Sequence, residues 1–102
     1  MFIIIWEYRV KPEKQAEFEQ FYSAAGNWAE LFKHGAGFAG TELWQDEDEP
    51  LRYLTIDRWK SKAEYEAFQM QWREEYQALD AQCEALTEQE ARLGGWHAAG
   101  QT

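Results

Sequence analysis

Between Ser61 and Leu86 the large apolar residues of one stripe are Tyr65, Phe68, Trp72, Tyr76, Leu79, Cys83 and Leu86, separated by steps of three or four. That spacing places them on one face of a helix. Ser61 and Glu64 form the S-x-x-E capping pattern that marks the start of such a helix. At 1.5 Å per residue it predicts a rod of roughly 37 Å, enough to cross a small sheet. The preceding run, Arg52–Trp59, is filled with β-branched and aromatic residues and predicts a strand.

The same reading extends along the chain. Phe2 to Val10 predicts a first strand, with Phe2, Ile4, Trp6, Tyr8 and Val10 on one face and Ile3, Ile5, Glu7 and Arg9 on the other. Its first face is apolar throughout, and its second begins apolar and ends charged. A strand apolar on both faces at one end is expected to be central and covered on both sides. Pro12 then opens a helix whose apolar stripe is Phe18, Phe21, Tyr22, Ala25, Trp28, Ala29 and Phe32, with a kink or early end expected near Gly26-Asn27.

His34 to Gly40 is glycine-rich but lacks the residues and spacing of a phosphate loop, so it is read as a flexible connection. Gly40 to Gln45 predicts a second strand, and Asp46–Pro50 a solvated hairpin tip without the spacing of a calcium loop. After the long helix, Ala91 to Ala98 predicts a weak fourth strand whose two glycines suit a bulge or an edge. Gly100-Gln101-Thr102 is expected to be a frayed tail. The order β-α-β-β-α-β is the ferredoxin-like arrangement, an α+β fold with a four-stranded antiparallel sheet in a single domain over residues 1–102.

Composition narrows the function. The net charge of −9 argues against nucleic-acid or anionic-membrane partners, both of which call for basic patches. The single Cys83 cannot make an intrachain disulfide and sits on the apolar stripe, as a small buried hydrophobe would. The apolar run Phe2–Trp6 has no basic leader and is too short for a signal or a span, so a cytoplasmic location is expected. Aromatic residues make up 17% of the chain, enough either to fill the core or to line a cavity for a flat ligand.

At the residue level, Ile5-Trp6-Glu7-Tyr8-Arg9-Val10-Lys11-Pro12-Glu13 resembles the opening strand and helix start of the antibiotic biosynthesis monooxygenase family. Tyr53 to Ser61 resembles its third strand, with the closing Trp59 and the helix-capping Ser61, and Leu93-Gly94-Gly95-Trp96 resembles its last strand. The resemblance implies a homodimer whose two sheets pack face to face into a dimeric α+β barrel. It places any cavity within each subunit, between sheet and helices. It also implies small oxygenases that act on quinol-like or polyketide aromatics without metal or flavin, alongside a haem-degrading branch and members without established activity. The haem branch calls for Asn, Trp and His where this chain has Tyr8, Phe68 and Ala78, so haem degradation is not expected.

Two histidines far apart and one cysteine offer no metal-ligand spacing, and no cofactor is expected. A cofactor-independent oxygenase needs an apolar aromatic box and one or two groups that deprotonate or orient a phenol. Tyr8 and His34 are the candidate catalytic residues; Trp28, Phe68, Trp72 and Tyr76 are the candidate substrate-binding residues. The plainer reading of the rings is core packing at helical spacing, and of His34 an exposed loop histidine. Two readings therefore stand. One is a monooxygenase acting on a small aromatic substrate. The other is a non-catalytic dimeric barrel that binds a small hydrophobic molecule or stabilises a larger assembly, with an interior filled solid or a pocket lacking a titratable wall.

Overall fold

The computed structural model describes residues 1–100; Gln101 and Thr102 of the expected tail lie outside the described residues. Strands β1 (Phe2–Val10), β2 (Phe38–Gln45), β3 (Arg52–Trp59) and β4 (Thr87–His97) form one antiparallel sheet in the order β2-β3-β1-β4. Helices α1 (Gln15–Tyr22), α2 (Asn27–Phe32), α3 (Lys62–Gln71) and α4 (Arg73–Cys83) cover it, with 3-10 turns at Pro12–Lys14 and Glu84–Leu86, so Pro12 opens a 3-10 turn and the α-helix starts at Gln15. This is the ferredoxin-like α+β fold, with β1 central as its two apolar faces required. Among the described residues no helix is long and apolar enough to cross a membrane.

Both predicted helices are broken. The first ends at Tyr22 and resumes at Asn27. A Cβ on Gly26 would lie 2.5 Å from the Gln20 carbonyl oxygen, so only glycine lets the chain turn back this tightly. The second breaks at Trp72, whose backbone (φ −112°, ψ 27°) leaves the helical region. No Gly or Pro marks this second break. Its start follows the capping signal: the Ser61 hydroxyl accepts the Glu64 backbone N–H at 3.1 Å.

The fourth strand begins at Thr87 rather than Ala91 and runs eleven residues. Pairing with β1 recruits the polar Thr87–Glu90, whose sequence carries little strand signal of its own. The bulge expected from its glycines is present: the register shifts between Ile5 and Trp6, opposite Gly94 and Arg92. The second strand also begins earlier, at Phe38.

The core lies between the sheet and the helices. Phe18, Phe68 and Trp59 are sealed from solvent, and Trp59 packs edge-on to Phe32, Phe38 and Tyr65. The glycine-rich loop, expected to be a flexible connection, is pressed against this cluster. A Cβ on Gly35 would sit 2.8 Å from the Trp59 ring and 3.1 Å from that of Phe68. Gly35 answers a close approach rather than a need for mobility, whereas Gly40, at φ 125°, answers a backbone conformation that favours glycine. Cys83 is buried.

Candidate functional site

Strand alternation sends Tyr8 (β1), Thr55 and Asp57 (β3) and Thr41 (β2) to the helix-covered side of the sheet. Above them stand Tyr22 of α1, Trp28 and Phe32 of α2, and Tyr76 and Asp80 of α4. Trp6 and Glu90 complete the wall. Together they leave about 430 Å³ not filled by atoms, partly open to solvent. Only about 40 Å³ of it is within reach of the centre of a water molecule, so the space is a narrow slot between rings.

The rings pack against one another. Tyr8 and Tyr22 centroids are 4.9 Å apart, and Trp28 meets Tyr76 edge-on at 5.0 Å. The Thr55 hydroxyl donates to the Tyr8 phenol at 3.4 Å. Burial raises the Tyr8, Tyr22 and Tyr76 phenols above their ordinary range. At neutral pH all three are therefore protonated donors rather than bases.

Asp57 is the exception. Burial pushes its carboxyl up to about 6, against a smaller opposing effect of the Thr41 hydroxyl, which donates to Asp57 Oδ1. Thr41 in turn is buried and also reaches the Ile56 carbonyl, at 3.3 Å. A half-buried carboxylate that takes up a proton near pH 6, facing aromatic walls, is suited to accept a proton from a bound phenol or activated C–H. Toward the opening, burial and the nearby carboxylates of Asp80 and Glu84 also raise Glu90.

Of the residues chosen from the sequence, Tyr8, Trp28 and Tyr76 line this pocket together. His34, Phe68 and Trp72 do not. His34 is exposed, and its ring stacks on Trp72 at 4.5 Å, clasping the end of α2 to the α3–α4 break. Phe68 is core, touching Phe32 and Trp59. Asp57 escaped the sequence reading. Its signal was a charged residue in register with Tyr53, Thr55 and Trp59, on the face where those side chains are buried. Glu90 was placed before the fourth strand and so was given no face. Among the described residues no three His, Cys, Asp or Glu side chains are arranged to hold a metal ion.

A four-stranded antiparallel sheet covered on one side by two broken helical segments, with a slot between the layers, defines this chain as a small ferredoxin-like α+β protein. The family model described as antibiotic biosynthesis monooxygenase matches residues 1–82, and the chain belongs to that family. Solved structures agree on the fold. A candidate antibiotic biosynthesis monooxygenase from Deinococcus radiodurans has a TM-score of 0.77 at 16% identity, covering 100% of this chain and 96% of its own. SnoaB of Streptomyces nogalater, described as a cofactor-independent oxygenase, has a TM-score of 0.72 at 22% identity, covering 99% and 94%. An uncharacterised NIPSNAP domain protein from Burkholderia xenovorans gives 0.70 at 16%, covering 98% and 96%. No curated protein matches this chain.

Proposed function

We propose that the protein is a cofactor-independent monooxygenase that oxidises a small quinol- or polyketide-like aromatic with O₂ in the slot between sheet and helices. The observation that carries this reading is Asp57, a proton acceptor set in the wall of an aromatic pocket. A non-catalytic binding barrel gives no reason to keep an ionisable carboxyl there.

In the proposed reaction Asp57 takes a proton from the activated CH₂ of an anthrone-like substrate. The resulting anion passes one electron to O₂. The two radicals join as a peroxide anion, which takes the proton back from Asp57 to become a hydroperoxide, and loss of water leaves a carbonyl, so one oxygen atom ends in the product and the other in water. In this reading the rings hold the substrate flat and exclude bulk solvent, and the Tyr8 and Tyr76 hydroxyls donate to its oxygens.

We further propose a homodimer joined through the uncovered face of the sheet. Ile3, Ile5, Leu54 and Ile56 lie on that face, flanked by Trp44 and Trp96, whose exposures are 57% and 45%. The same face carries the Glu7–Arg52 and Glu42–Arg58 ion pairs, so the apolar residues form a patch rimmed by charge, the pattern of an interface, and the helices occupy the other side.

The test is O₂ consumption with a panel of hydroquinones and anthrone-like compounds. Uptake is expected above autoxidation for at least one, rising with ionisation of a group near pH 6. Asp57→Asn should lower kcat by about 10²–10⁴-fold with a smaller change in KM. Uptake no faster than autoxidation across the panel refutes the oxygenase reading.

A further inference from the structure

We propose that this pocket sorts aromatic ligands by charge, preferring amine-bearing molecules to neutral ones and rejecting carboxylated ones; this rests on the slot being the substrate site. Three carboxyl groups line it, Asp57 within and Asp80 and Glu90 from α4 and β4, and no Lys, Arg or His is among the lining residues. Six acids outside the pocket are held in ion pairs. Glu7 and Asp46 hold Arg52, Glu42 holds Arg58, Glu49 holds Arg9, and Glu17 and Glu30 hold lysines. None of those ion pairs includes Asp57, Asp80 or Glu90.

Two basic groups lie nearby without joining the lining; Arg92, in register with Trp6, has its charge beside Tyr65. The same side chain, two residues beyond Glu90, lies over Gly95, where a Cβ would come 3.2 Å from its guanidinium. Arg73 shares a surface groove with Asp80 outside the slot. The three carboxyls are too dispersed to cage a metal ion. They instead give the pocket a diffuse negative potential among ring faces, which themselves attract organic cations. Asp80 is half-buried and Glu90 exposed, so both charges act on an anion at the solvent side of the pocket wall. At separations of several ångströms, two such charges amount to about tenfold or more in affinity.

Equilibrium dialysis with naphthol, its aminomethyl derivative and hydroxynaphthoate reads this without any oxygen chemistry. At about 10 mM salt, hydroxynaphthoate should bind at least about tenfold more weakly than naphthol, and the amine more tightly than either. The differences should shrink near 1 M salt, where the Debye length falls to about 3 Å. The double variant Asp80→Asn, Glu90→Gln should narrow the carboxylate-to-neutral ratio severalfold at low salt. Both side chains reach solvent, so these near-isosteric amides leave the fold intact. Equal binding of naphthol and hydroxynaphthoate, an unchanged ratio in the double variant, or no binding of any of the three overturns the proposal. Discrimination as described, without O₂ uptake on any substrate, removes only the oxygenase reading. Uptake without discrimination removes only the charge selection.

Discussion

Replacing Asp57 by Asn removes a charge from the pocket wall while keeping its shape and its ability to accept the Thr41 hydroxyl. The Asp57 carboxyl is held at about 6 in the folded chain, against an ordinary value of 3.8. The folded state therefore binds this proton more tightly than the unfolded state. Stability is least affected below about pH 4, where both states are protonated; it declines as pH rises to about 6 and carries the full cost above that. The difference corresponds to about 3 kcal/mol at full burial, trimmed toward about 2 kcal/mol because the residue is half-buried and solvent shares its charge.

Asp57→Asn should therefore stabilise the protein by about 2–3 kcal/mol at pH 8 and by almost nothing near pH 4. Urea denaturation of both proteins, at one protein concentration and at several pH values, measures this. Taking the difference between the two cancels the titration of the other carboxylates, and fixed concentration cancels any effect of assembly. A difference independent of pH, or a variant less stable than the parent at pH 8, would refute the claim that Asp57 is strained by burial. A gain in stability coupled with a loss of turnover is the trade expected where a group is kept charged for its chemistry.

Gly35→Ala should destabilise by about 1–3 kcal/mol, because the added methyl meets the Trp59 and Phe68 rings, which have no room to retreat; a merely flexible loop would instead gain about 0.4–1 kcal/mol, so the sign of the change in a thermal melt decides. Ile56→Lys places a charge opposite Ile5 on the uncovered sheet face and should convert a dimer to a monomer by sedimentation velocity. A parent chain that sediments as a monomer would discard the proposed interface.

Local patterns in the sequence specify the elements because each pattern has a physical period. The three-and-four spacing from Tyr65 to Leu86 can bury one face only as a helix, and β-branched and aromatic runs satisfy a pleated surface. Ser61 marked its helix start, and the doubly apolar end of β1 marked a central strand. Boundaries set by partners were not legible in this way. Thr87 to Glu90 become strand because β1 offers them an edge, and α3 parts from α4 at Trp72 without any breaking residue. The site divides along the same line. Tyr8, Trp28 and Tyr76 were visible as inward aromatics, but a period cannot distinguish a ring that lines a gap from one that fills it. That is why Phe68 fell in the core and Trp72 onto His34. Asp57 became a candidate base only when four strands and three helices enclosed it, since its raised proton affinity comes from burial, and burial is a property of the assembled layers.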